Sequence, residues 1–150
     1  MSRAFDRSAI VANQLAIRFE SDLRARLQSL QGRRKHVLAQ ASRAMEPIAR
    51  HLDDLDAAIK RVMPEARLMW RSEPELIADD RVRCTYELSG VNEKVPLHFD
   101  ITDAATNISF VRGDNEKPQH VYDLAEDMRE FYPALQEEIM QYLLQFPKRS

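Results

Sequence analysis

Residues 81–88 read RVRCTYEL, and this stretch decides the fold class. Val82, Cys84, Tyr86 and Leu88 alternate with Arg83, Thr85 and Glu87, the period of two that a half-buried strand requires. A helix would scatter the same residues around its circumference. Residues 94–102, KVPLHFDIT, repeat the alternation, with Val95, Leu97, Phe99 and Ile101 opposed to Pro96, His98 and Asp100. Pro96 brings no N–H to a ladder, which predicts an edge strand or a strand terminus. ARLMWRS (66–72) and NISFVR (107–112) flank the pair, and the connections SGVNE and DAAT are short enough for antiparallel neighbours. Residues 66–112 are therefore expected to form a four-stranded antiparallel meander with one apolar and one wet face.

Upstream of Pro64 the period is helical. Leu23, Leu27, Leu30, Val37, Ala41, Ala44, Ile48, Leu52, Leu55, Ile59 and Val62 follow steps of three and four, with Arg34 in the one missing position. The consecutive steps of four around Ile48 are a stutter that locally unwinds a supercoil. Gly32 and Pro47 interrupt the seam, and each weakens or kinks a helix interior. The spacing thus predicts a helical arm over residues 6–63, kinked or folded as a hairpin and ending at Met63-Pro64. Downstream, GDNEKPQ (113–119) closes the meander. A second stripe follows: Val121, Leu124, Met128, Phe131, Leu135, Ile139, Tyr142 and Phe146. Asp123, Glu126, Asp127, Glu130, Glu137 and Glu138 occupy its other faces. This predicts acidic C-terminal helices over 119–146, divided at Pro133. No repeat or linker separates the parts, so residues 1–150 read as a single α+β domain.

The element order of a helix, a four-strand meander and helices resembles that of ubiquitin-conjugating and RWD-type domains. The resemblance is one of order alone. The sole cysteine, Cys84, lies on the second strand, whereas the enzymes of that family keep their nucleophile beyond the fourth.

Charge and motifs narrow the function. The net charge of −2 hides a division, because residues 1–71 carry 14 Lys/Arg against 8 Asp/Glu and residues 72–150 carry 8 against 16. Such asymmetry fits either a basic arm for an acidic partner or two parts that attract each other. Three glycines cannot build a phosphate-binding loop, and one cysteine cannot form an internal disulfide or a CxxC motif. Cys84 alternates with apolar neighbours and reads as a buried structural thiol. His51 with Asp54 offers a metal two ligands at best, short of a site. The N-terminal residues lack a continuous apolar signal segment, and no apolar run approaches the roughly 18 residues of a membrane span. A cytoplasmic protein without cofactor, metal or membrane partner is expected.

Three candidate surfaces remain. Arg24, Arg26, Arg33, Arg34, Lys35, Arg43 and Arg50 form a basic segment suited to an acidic partner, protein in preference to nucleic acid. The segment lacks both interleaved aromatics for stacking on single strands and a recognition helix for a duplex. Leu23, Leu27, Leu30, Val37, Ile48, Leu52 and Leu55 form a self-association seam, pointing to a homodimer or larger assembly. Arg83, Glu87, His98 and Asp100, with Thr85, would meet on the wet sheet face if the second and third strands pair. A carboxylate beside His98 there could serve acid–base chemistry or a small ligand, although solvated sheet faces ordinarily carry such ion pairs. The function expected is a non-catalytic adaptor, chaperone-like or assembly protein. A nucleic-acid-binding accessory protein using residues 24–50 is the alternative, and an enzyme or ligand binder using the sheet face comes third.

Overall fold

The computed structural model describes residues 3–91, 93–113 and 120–145. In chain order it contains helix α1 (Arg3–Val62), strands β1 (Arg67–Ala78), β2 (Arg81–Ser89), β3 (Val95–Thr102), β4 (Asn107–Arg112) and β5 (Tyr122–Asp123), and helix α2 (Met128–Leu143). The fold is α+β, as the alternation of residues 81–88 requires. The chain divides into two compact units, with the boundary inside α1 between His36 and Val37.

The sheet is an antiparallel meander of order β1-β2-β3-β4-β5. Its central register places Val82 opposite Ile101, Cys84 opposite Phe99, Tyr86 opposite Leu97 and Leu88 opposite Val95. All four pairs lie on one face. That face packs against Ala41, Met45, Ile48, Leu52 and Ile59 of α1 and Phe131, Leu135, Ile139 and Tyr142 of α2, forming one core. Ring contacts tie its parts together: Phe131 meets Phe110 edge-on at 5.7 Å and Tyr122 at 5.4 Å, and His51 meets Tyr132 at 4.7 Å. Polar anchors fix the elements. Asp56 Oδ1 accepts the Leu68 amide at 2.9 Å, Arg112 Nε donates to Glu138 at 2.8 Å, and Gln136 Nε2 lies 3.1 Å from His51 Nε2. At Gly90, φ is +98° and a Cβ would collide with the Glu65 carbonyl, so this close approach of backbones requires glycine.

Several expectations need correction. The N-terminal arm is neither kinked into pieces nor a hairpin; α1 is one continuous helix through Gly32 and Pro47. Gly32 has open space around it and penalises the helix by only about 1 kcal/mol relative to alanine. Pro47 is exposed, which leaves the carbonyl it cannot bond open to water. Likewise Pro133, exposed near the start of α2, does not divide that helix. Residues 121–127 are not helical. Tyr122 pairs with Ile108 as a fifth strand, and Asp123 Oδ1 accepts the amides of Ala125 and Glu126 in a tight turn. The sheet therefore has five strands instead of four. Pro96 lies in β3, between β2 and β4, so its strand is central and only its near-terminal placement holds. β1 runs six residues past the expected end at Ser72, through register shifts around Ser72, Glu75 and Ala78 that, with Pro74, blunt a free edge. Phe146 and residues 114–119 lie outside the described residues.

Candidate functional site

The polar sheet face assembles as its register dictates, with Asp100 held by arginines. Arg83 stands opposite Asp100 and Thr85 opposite His98. Arg83 grips Asp100 with two bonds, Nε to Oδ1 at 2.8 Å and Nη2 to Oδ2 at 3.0 Å, and Arg81 adds two more to Oδ2, from Nε at 3.1 Å and from Nη2. Asp100 is only 3% exposed. Burial alone would raise its pKa, but the hydrogen bonds and charges of Arg83 and Arg81 outweigh this and hold it below the ordinary carboxylate value. His98 Nδ1 pairs instead with the Thr85 hydroxyl at 2.9 Å, and Glu87 reaches Arg71 at 3.2 Å. Asp100 is thus committed to guanidinium groups, and the cluster is a cross-strand clamp that holds β2 to β3. Arg81 belongs to it although the alternation singles out only Arg83; the arginines stand two positions apart, the spacing of one strand face.

Cys84 is buried on the core face, where burial, reinforced by the Asp100 charge, pushes its thiol up to about 11. It is a weak nucleophile at neutral pH. Among the described residues, no cluster of three or more His, Cys, Asp or Glu could hold a metal ion, and no helix is long and apolar enough to cross a membrane. An apolar groove of about 280 Å³ lies between the ends of α1 and α2, lined by Leu55, Val62, Met63, Met140, Leu143 and Leu144.

The self-association seam separates into two environments. Ile48 and Leu52 are buried in the protein's own core, and Val37 and Leu55 are partly buried at its margin. Leu23 and Leu27 are about half exposed, and Leu30 is half-buried. The exposed stretch extends further upstream than Leu23. Phe19 is 66% exposed, and Ile10, Val11, Leu15 and Ile17 are all more than half exposed. The four-residue step from Phe19 to Leu23 was the available signal for this extension. On a 3.6-residue helix Phe19, Leu23, Leu27 and Leu30 lie along one side.

The basic segment interleaves with these residues. Arg24 bonds Glu20 one turn away at 3.2 Å. Arg26, Arg33, Arg34, Lys35, Arg43 and Arg50 are exposed and make no ion pair among the described residues. Of the acidic side chains of the C-terminal region, Glu138 holds Arg112, and Asp123 and Asp127 hold turn amides. The N-terminal segment of α1 therefore offers an apolar side and uncompensated cations together. No protein family, curated protein or solved structure matches the chain.

Proposed function

We propose that this protein is a non-catalytic assembly or adaptor protein that self-associates through residues 10–30 of α1, leaving the basic segment for an acidic protein partner. The observation that carries the reading is the half-exposed series Leu15, Phe19, Leu23 and Leu27, spaced four residues apart along one side of the helix. Helices in proteins owe most of their stability to packing of an apolar face. Each such side chain regains about 1 kcal/mol on burial of its exposed half. The committed state of Asp100 and the weak nucleophilicity of Cys84 support a non-catalytic reading.

The test is the solution mass by light scattering across micromolar concentrations, with the Leu27→Glu, Leu30→Glu double variant beside the natural chain. A dimer or larger species should revert to monomer in the variant while the folded unit keeps its thermal transition. A natural chain that stays monomeric would remove the proposal. The alternative use of residues 24–50, as a nucleic-acid-binding surface, draws on the same unpaired cations. A salt titration separates it.

A further inference from the structure

We infer that the turn between β3 and β4 is a two-state latch: its left-handed form, held by Asp80, keeps β5 docked, and its release frees β5 from the sheet edge. The inference is independent of the self-association proposed above and begins from backbone conformation. Asp103, Ala104 and Ala105 take φ values of 55°, 53° and 60°, three consecutive left-handed residues with no glycine among them. In that region the Cβ of an L-residue crowds the following carbonyl oxygen, which aspartate tolerates better than alanine does. The twist of antiparallel strands nevertheless favours left-handed connections, and glycine or asparagine ordinarily supplies them. Strand twist and the two alanines are therefore in conflict. The competing form is the right-handed type I turn on which four-residue loops are most often built.

Bonds from outside the turn settle the conflict. Both carboxylate oxygens of Asp80, which follows β1, accept the Ala104 amide, at 3.1 and 3.3 Å. Thr106 Oγ1 donates to the Asp103 carbonyl at 2.6 Å, and the Thr106 amide donates to the Thr102 carbonyl at 3.2 Å. Thr106, so placed, presents its own carbonyl to the Leu124 amide at 2.8 Å. This bond extends the hold on β5, which pairs with β4 at two positions, Tyr122 with Ile108 and Asp123 with Asn107.

Reversing the hand of the turn re-aims the Ala104 amide and the Thr106 carbonyl together. The Asp80 bond and the Leu124 bond thus belong to the same state, and two contacts that favour one state of a bistable element are coupled through it. Left-handed non-glycine residues persist only where the surroundings over-determine them, so removing one outside bond shifts the balance. Release uncovers Tyr122, which is 8% exposed and lies against Phe110 at 6.2 Å and Phe131 at 5.4 Å. An aromatic surface then opens beside the start of α2, while the pairing of β2 with β3 stays in place.

Amide hydrogen exchange, resolved by residue, tests the latch. Asp80→Ala should speed exchange at Leu124 about tenfold and leave Phe99, in the middle of β3, within about twofold of the natural chain. Asp80→Asn keeps an oxygen for the Ala104 amide and should exchange at nearly the natural rate. Adding Ala104→Gly to Asp80→Ala supplies a residue at ease with positive φ and should bring Leu124 back to within about threefold. Ala104→Gly alone should slow exchange at Leu124, a readout that stands even where Asp80→Ala does not fold. Unchanged exchange at Leu124 in Asp80→Ala would overturn the latch. Equal acceleration at Leu124 and Phe99 would also overturn it, because Asp80 would then support the whole fold without controlling β5. Ala104→Gly that neither rescues the double variant nor slows exchange alone would remove the left-handed strain from the account, and the latch with it.

Discussion

Residues 10–30 and residues 41–59 belong to one helix and carry the same apolar spacing, yet they meet different surroundings. In the later stretch Ile48 and Leu52 are sealed against the sheet and α2; in the earlier one Phe19, Leu23 and Leu27 stand about half in water. The amphipathic pattern states that a face has to be covered and leaves open what covers it. Where strands of the same chain supply the cover, the stripe becomes core. Where none does among the described residues, the stripe is a surface that invites a partner.

The sharpest way to break this comparison is to make the same change on both stretches. Leu52 is 1% exposed and Leu27 is 48% exposed, so truncation to alanine removes the same atoms from two environments. Leu52→Ala should lower unfolding stability by about 3–4 kcal/mol through lost burial and the cavity left behind, read as a drop in the denaturant midpoint. Leu27→Ala should leave that midpoint within about 0.5 kcal/mol when measured on monomer, because an exposed side chain contributes little to the fold. It should instead weaken association about thirtyfold, as two copies each lose roughly 1 kcal/mol of buried surface. Equal stability losses at the two positions would show that the earlier stretch is packed within its own chain.

A second, smaller effect separates the folded unit from the helix surface through pH. Asp100 has its pKa held below the ordinary carboxylate value by Arg83 and Arg81. A group depressed in the folded state stabilises it fully above its unfolded pKa and loses that contribution as pH falls through the folded one. Stability should therefore hold through neutral and mildly acidic pH and decline below about pH 4, where an unperturbed aspartate begins to protonate. Asp100→Asn should lower stability near pH 7 by about 2 kcal/mol, since charge-assisted hydrogen bonds are lost while Arg81 stays partly solvated. The variant's acid decline should be shallower, and its solution mass unchanged. A variant as stable as the natural chain at pH 7 would mean that the clamp contributes nothing.

The fold was legible wherever local chemistry was sufficient. Residues 107–112 form β4 as their composition predicts, and the alternation in residues 81–88 and 95–102 sets both the core face and the pairing. What misled was punctuation. Gly32, Pro47 and Pro133 are breakers by propensity, but each lies exposed on a helix whose flanking residues are strong helix formers or remain packed, and a local penalty of one to three kcal/mol does not end such a helix. β5 escaped detection because two residues carry no period. The Tyr122–Ile108 pairing is decided by tertiary contact. At the sheet face, alternation put His98 and Asp100 on one side but could not say that the register would give Asp100 to two arginines and His98 to Thr85. The exposed run upstream of Leu23 was visible as apolar residues, whereas their lack of cover belongs to the three-dimensional structure.

The smallest effect on the fold, and the one that separates the partners open to the N-terminal segment, comes from the basic turn. Arg33, Arg34 and Lys35 are exposed and unpaired among the described residues, so replacing all three with Gln should leave thermal unfolding nearly unchanged, within about 0.5 kcal/mol. If these cations neutralised phosphates, duplex affinity would fall with salt at a logarithmic slope of roughly −0.9 per contact, and the triple substitution would flatten that slope by about three units. An acidic protein surface presents fewer and less regular charges than a phosphate backbone, so the salt dependence is expected to be shallow. We therefore expect duplex and single strand alike to bind no tighter than the weak non-specific range of roughly 10⁻⁴–10⁻⁶ M at physiological salt. Submicromolar nucleic-acid binding that is lost on substitution would reassign the segment from protein to nucleic acid, and the apolar side would then serve only to pair the two copies that present it.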